Sequence, residues 1–219
     1  MLEWHPFTLS SGPDDDELEI VIKNLGDATR AIVTAASDVT SLSLRVDGPY
    51  GGFRPDYRRF STLVLVAGGV GVTPMLSALR ALYRTDMSSE AQQREARGQH
   101  HVEHVFFLWA CPTLALYEAF SKVLTTAEAR SGTPGFPTLH NNSYLTRETV
   151  APPGLLLGRP DVDQVFDHVR KVASTTASQR VGLFACGPLA LVNAAWDRAT
   201  AASKDSHVCF DVHLEAFEM

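Results

Sequence analysis

The hydrophobic pattern changes character part-way along the chain. Over residues 4–11 aromatic and β-branched positions run up to Gly12-Pro13. Over residues 18–24, Leu18, Ile20 and Ile22 alternate with Glu19, Val21 and Lys23, and residues 42–46 alternate again before Asp47-Gly48-Pro49. Period-two alternation bounded by turn residues predicts three short antiparallel strands. Residues 14–17 read as a solvated acidic turn and residues 29–37 as a helix or loop.

Beyond residue 60 the pattern is different. Residues 63–67 form an unbroken apolar run, as strands buried on both faces of a parallel sheet do. A helix is predicted over 74–83, with Met75, Leu76, Leu79 and Leu82 at helical spacing, and a polar surface excursion over 88–98. The remainder alternates: strand 102–110, helix 114–125, strand 138–144, a break at Ala151-Pro152-Pro153-Gly154, helix 161–173, strand 181–185, helix 189–200, strand 208–212. Such alternation predicts an α/β fold, a parallel sheet with helices on both faces. The change of pattern places a boundary near residue 58, dividing the chain into 1–57 and 58–219.

Composition narrows the function classes. The net charge is -6 over 219 residues, with no Lys/Arg run of the kind a nucleic-acid binder carries. Cys111, Cys186 and Cys209 form no CxxC pair, so zinc and iron–sulfur spacings are absent and a reducing compartment is expected. The start of the chain has no signal-peptide pattern, and no apolar run reaches the roughly 18 residues of a membrane span. The chain is therefore expected to be soluble and cytoplasmic. His100, His101, Glu103 and His104 lack the helical spacing of a zinc motif, so no metal ligand is assigned.

Three turns carry candidate chemistry. In Leu63-Val-Leu-Val-Ala-Gly-Gly-Val-Gly-Val-Thr-Pro-Met75 a buried strand runs into Gly68, Gly69 and Gly71, and a helix opens behind them. Thr73 suits an N-cap and Pro74 the first helical position. Free N–H groups at a helix start favour phosphate, and glycines let a backbone approach a ligand, so this loop is expected to hold a pyrophosphate. The alternative is a tight turn chosen for packing alone. Phe184-Ala-Cys-Gly-Pro188 repeats the strand–glycine–helix design, with Gly187 and Pro188 at the turn. Carboxyl ends of parallel strands are where such sheets bind ligands, so the two turns point to one cleft. Cys186 would point into it, or would be a small buried apolar residue. Gly158-Arg159-Pro160-Asp161 is the third, where Arg159 could fork onto a 2′-phosphate and Asp161 could cap a helix.

The order of the motifs carries a resemblance. His5-Pro6-Phe7-Thr8-Leu9-Ser10-Ser11, Asp47-Gly48-Pro49-Tyr50-Gly51-Gly52, Gly68-Gly69-Val70-Gly71-Val72-Thr73-Pro74, Gly158-Arg159-Pro160 and Cys186-Gly187-Pro188 follow one another as in the dehydrogenase region of ferric reductases and NADPH oxidases, in the ferredoxin reductase-like superfamily. The resemblance covers essentially the whole chain. It implies a partial antiparallel β-barrel for FAD ahead of an α/β domain for NADPH. It implies hydride transfer from NADPH to FAD, then single electrons to a heme, ferric chelate or oxygen. His5, Pro6, Phe7 and Thr8 would lie along the FAD isoalloxazine and ribityl chain, with Ile22 and Lys23 near its pyrophosphate or adenosine. Gly48 would belong to the same cofactor site. Gly68, Gly69, Gly71, Val72, Thr73, Pro74, Gly187 and Pro188 would hold the nicotinamide nucleotide, and Arg159 the 2′-phosphate. Cys186 would lie near the nicotinamide, and Phe217 would cover the flavin ring and move before nicotinamide stacks.

Two departures from the family's pattern stand out. Only four residues precede His5, where the family has further barrel strands, and Pro112 stands where an Arg often follows the Cys. The resemblance thus also allows a catalytically incomplete nucleotide-binding fragment of a larger membrane reductase, whose heme-bearing membrane domain lies outside this chain and whose cytosolic face this module would occupy. No Gly-x-Ser-x-Gly elbow occurs, and the implied chemistry needs no protein nucleophile.

Overall fold

A computed structural model describes residues 4–12, 15–37, 41–48, 50, 57–84, 102–176, 178–205 and 207–215. Beyond residue 60 the expected alternation is present. Strands β1 (Thr62–Gly68), β2 (His104–Cys111), β3 (Thr138–Leu145), β4 (Leu156–Leu157), β5 (Arg180–Cys186) and β6 (Cys209–Glu215) form one sheet in the order β4-β3-β2-β1-β5-β6. Every neighbouring pair is parallel. All seven residues of β1 are buried, because β1 lies mid-sheet under helices on both sides.

Those helices sort the core into two layers. On one face α2 (Thr73–Leu82) contributes Met75, Leu76, Leu79 and Leu82, and α3 (Leu114–Arg130) contributes Phe120, Leu124 and Ala127, packed over Leu63, Leu65, Ala67, Phe107 and Trp109. On the other face α4 (Val162–Ala173) contributes Val165, Phe166 and Val169, and α5 (Leu189–Asp205) contributes Val192, Ala195 and Ala199, over Val64, Val66, Phe106 and Leu183. The odd and even positions of β1 thus serve different layers, as the strand period requires. Caps set the helix starts. The Thr113 side chain accepts from the Leu116 N–H, and Asp161, as expected, accepts from the Gln164 N–H at 3.0 Å. Asp163 in the first turn of α4 and Arg170 and Lys171 in its last complement the helix dipole.

Helices α3 and α5 run about five residues past the ends predicted for them, because both continue through small or charged residues that the apolar period does not mark. Strand β4, two residues long, carries no periodic signal at all.

The N-terminal expectation needs correction. Residues 4–12, 18–24 and 41–48 run without strand assignment, and among the described residues their antiparallel pairing is one bridge, Leu9 with Ile20, beside a Ser10 N–H to Glu19 carbonyl bond of 2.8 Å. Two extended segments alone make a marginal pair, and alternation becomes a strand only where a neighbour completes the ladder. Trp4, Leu18, Leu42, Leu44 and Val46 are accordingly exposed. Residues 27–37 settle as a helix, α1 (Asp27–Ser37), with none of its residues buried. Val21 and Tyr57 do pack against the α2–α3 core.

Three histidines stack at the amino end of β2 and β3. The His140 ring lies 4.2 Å from Phe106 in near-parallel stacking and 5.0 Å edge-on from His168 of α4, and its Nε2 is 3.3 Å from His104 Nδ1. Burial first, then the neighbouring His168 and His104, lower the His140 pKa from 6.5 to about 4. Between those two values the unfolded chain binds a proton that the folded chain does not, so stability is full above about pH 6.5 and falls as pH drops toward 4. His140→Phe preserves the ring stack and is expected to flatten the fall in melting temperature between pH 7 and 5. An unchanged slope in thermal melts of the two proteins would refute that assignment.

Candidate functional site

From β1 outward the chain adds β2, β3 and β4 on one side, then returns to add β5 and β6 on the other. The order therefore reverses between β1 and β5, and the carboxyl ends of the strands at such a reversal are where open α/β sheets take ligands. Both glycine turns singled out in the sequence lie at this point. Ala67 of β1 is the register partner of Cys186 of β5 and of Trp109 of β2.

The glycines divide into two kinds. A Cβ on Gly68 would fall 2.3 Å from Pro188 Cδ, one on Gly187 would fall 2.8 Å from the Gly68 backbone, and one on Gly71 would fall 2.6 Å from the Cys186 carbonyl oxygen. These three are glycine because the two turns touch backbone to backbone. Gly69 differs: its φ is +55°, and a Cβ there would meet no atom within 4 Å. Of the loop's glycines it alone faces open space, so the packing explanation covers Gly68, Gly71 and Gly187 but not Gly69.

The chain leaves β1 through a 3-10 turn, Gly69–Val72, that feeds straight into α2 with Pro74 in the first turn. No side chain caps either start. Thr73 is not the N-cap expected from the sequence. It is the first residue of α2, and its hydroxyl donates back to the Val70 carbonyl at 3.2 Å, because the preceding turn already has helical backbone. The loop is anchored from below by a residue the sequence reading missed. The fully buried Trp109 donates its indole N–H to the Gly69 carbonyl at 3.0 Å. A Trp near the carboxyl end of a buried strand has to place its N–H somewhere, and that was the available signal.

Cys186 is fully buried, in the core layer that also holds Ala67, Trp109 and Cys111. Cys111 donates to the Thr113 carbonyl, and burial raises its thiol to about 11. Arg159 is exposed, following Gly158, whose φ is +89° and whose N–H donates to the Leu145 carbonyl at 2.9 Å. That bond ties the Arg159 turn to the carboxyl end of β3. His5, Pro6 and Lys23 are exposed and Phe7, Thr8 and Ile22 half-buried in the extended N-terminal segments; Gly48, exposed, has a φ of +135°. Phe217, His100 and His101 lie outside the described residues. Among the described residues no group of three or more His, Cys, Asp and Glu could hold a metal ion, and no helix is long and apolar enough to cross a membrane.

Residues 60–153 and 154–198 match the family described as "Ferric reductase NAD binding domain", and residues 1–53 match "FAD-binding domain". The chain belongs to the ferric reductase NAD-binding domain family. The ferric reductase resemblance read from the five motifs thus stands, and the glycine turns and the Arg159 turn all fall within this family's matched span. The chain is 31% identical over 218 residues to NADPH oxidase 3 of Homo sapiens, covering 87% of this chain and 37% of that protein. It is 27% identical over 269 residues to respiratory burst oxidase homolog protein B of Arabidopsis thaliana, covering 99% of this chain and 31% of that protein. The chain thus spans about a third of the length of these relatives. A ferredoxin NADP+ reductase from Neisseria gonorrhoeae, solved with bound FAD and NADP, superposes with a TM-score of 0.60 over 98% of this chain and 80% of that one at 16% identity, which shows the shared fold.

The two kinds of glycine are separable by substitution. Gly187→Ala, at φ +146° and against the Gly68 backbone, is expected to destabilise by about 2–5 kcal/mol. Gly69→Ala meets no steric obstacle and should cost only about 1–2 kcal/mol for its left-handed backbone. Urea unfolding of both variants checks this; equal losses would contradict the division.

Proposed function

We propose that the chain is the electron-input module of a flavin-dependent NADPH oxidoreductase, with residues 1–57 serving FAD and residues 58–219 serving NADPH. The observation that carries the reading is the Gly69 turn beside the β1–β5 reversal, where a Cβ would meet no atom within 4 Å and no side chain caps the helix start. The N–H groups of such a start suit a pyrophosphate. Gly68, Gly71, Gly187 and Pro188 fix the two turns against each other, Val72, Thr73 and Pro74 carry the backbone into α2, and Trp109 keeps the Gly69 carbonyl turned inward. Cys186 acts as a positioning residue, since its carbonyl oxygen backs Gly71. Arg159 follows β4, three strands from β1, which at about 4.8 Å per strand is about 14 Å away and suits the far, adenosine end of a dinucleotide. There its planar fork contacts the 2′-phosphate.

On the flavin side, His5, Pro6, Phe7 and Thr8 offer an exposed to half-buried apolar and hydroxyl-bearing strip, with Ile22, Lys23 and Gly48 supporting the rest of FAD. The bound cofactors supply hydride transfer and single-electron release; the protein orients them and keeps water out. Phe217 covers the flavin ring. The electrons pass to a heme, a ferric chelate or oxygen, through a heme-containing membrane portion of a longer protein, with this module on the cytosolic face of the membrane.

Flavin retention tests the reading. The purified chain, incubated with FAD and freed of excess, is expected to keep a flavin absorbance that bleaches on anaerobic NADPH addition. A second reading, a nucleotide-binding fragment without catalysis, is favoured by the exposed apolar residues Trp4, Leu42, Leu44 and Val46. NADPH binding with no retained flavin would establish it and overturn the first. Arg159→Ala should weaken NADPH binding about 10- to 100-fold and leave NADH binding unchanged, as loss of a charge-assisted bond to the 2′-phosphate predicts. Equal effects on both nucleotides would remove Arg159 from the site.

A further inference from the structure

Away from the glycine turns, one side-chain network joins the N-terminal segment to helix α2. Arg80, two turns along α2 from Thr73, donates to both carboxylate oxygens of Glu19, at 2.9 and 3.1 Å, and lies 3.6 Å from Asp15 Oδ2. Glu19 also accepts from the Ser10 hydroxyl at 2.7 Å, and Asp15 accepts from the Gly12 N–H at 2.7 Å. Gly12 itself lies against the helix: a Cβ there would come 3.3 Å from Arg80 Cβ and 3.1 Å from Asp15 Oδ1. Ser10, Gly12, Asp15 and Glu19 therefore form one network with a single guanidinium. Burial pulls the Glu19 pKa upward, but the hydrogen bonds from Ser10 and Arg80 outweigh it and leave the carboxyl below its ordinary value, ionised at neutral pH. Both bonds leave the one Nη2 nitrogen while Nη1 lies toward Asp15, so the guanidinium is held between two carboxylates.

The consequence comes from what α2 carries at its other end. The helix begins without a break from the Gly69–Val72 turn. One rigid element thus meets the nucleotide turn at its start and, near its end, the segment in which Ser10 follows His5, Pro6, Phe7 and Thr8. We propose that Arg80 is a positioning residue for hydride transfer, setting through Glu19 and Ser10 where the flavin-side segment sits relative to the nucleotide turn. The inference rests on the flavin reading above. Hydride transfer needs its two atoms about 3–3.5 Å apart, and a displacement of about 1 Å can lower a rate about 100-fold.

The experiment compares Arg80→Gln, Arg80→Lys, Glu19→Gln and the double variant Arg80→Gln/Glu19→Gln with the unaltered chain, all loaded with FAD. Anaerobic stopped-flow gives the limiting rate of flavin reduction, and nucleotide titration gives the NADPH Kd. Arg80→Gln is expected to slow reduction at least tenfold with the Kd within twofold. Arg80→Lys, which keeps the charge and loses the planar guanidinium, should fall between, and the double variant should be no slower than the slower single one, as for residues that act as one unit. An unchanged rate, a Kd that rises in step with the slowing, or additive losses would each overturn the proposal. Should the unaltered chain retain no FAD, the flavin reading fails on its own. Amide hydrogen exchange then decides about the clamp: Arg80→Gln must speed exchange at Ser10 and Gly12 at least tenfold while residues 69–74 keep their protection, and unchanged exchange at Ser10 and Gly12 would overturn it.

Discussion

The structure depends on a contact in which side chains play little part. Where β1 and β5 end, their two turns meet through bare backbone, Gly68 on Gly187 and Gly71 on the Cys186 carbonyl, with the Pro188 ring closing the seam. That approach joins the two halves of the sheet at their carboxyl edge. It also frees Gly69 to face outward, because the neighbouring positions are already committed to packing. The buried Trp109 indole secures the same loop from beneath. A nucleotide would thus be received by main chain held rigid on three sides, a preorganised surface that loses little entropy on binding.

The two core layers serve this seam. Alternate residues of β1 pack under α2 and α3 on one side and under α4 and α5 on the other, so the strand that delivers Gly68 has no freedom to shift. Among the described residues of 4–48, the Arg80–Glu19–Ser10 network and the packing of Val21 join this segment to the sheet domain, and Trp4, Leu18, Leu42, Leu44 and Val46 are exposed.

The parallel sheet was legible because its strands are continuous apolar runs and its helices carry clear stripes; residues 63–67 and the stripe Met75, Leu76, Leu79 and Leu82 lie where the pattern put them. The identity of the glycines was legible too, but not their reasons. A sequence shows that Gly68, Gly71 and Gly187 are small, yet the contact that demands it joins positions over a hundred residues apart, and only the strand order brings them together. Thr73 misled for a related cause: capping preference assumes a non-helical residue ahead of the helix, and a 3-10 turn replaced it. Over residues 18–24 and 42–46 alternation was read as strand, although period two reports only which face would be buried if a partner were present. Arg80 and Glu19, 61 residues apart, left no local trace at all.

The central claim is that the nucleotide sits on the β1–β5 seam. Amide hydrogen exchange of the chain with and without NADP+ tests it most directly. The account predicts added protection concentrated at residues 69–74 and 187–191, with a weaker effect near Arg159 and none at the histidine stack of β2 and β3. Protection confined to other residues, with the two glycine turns unchanged, would contradict it.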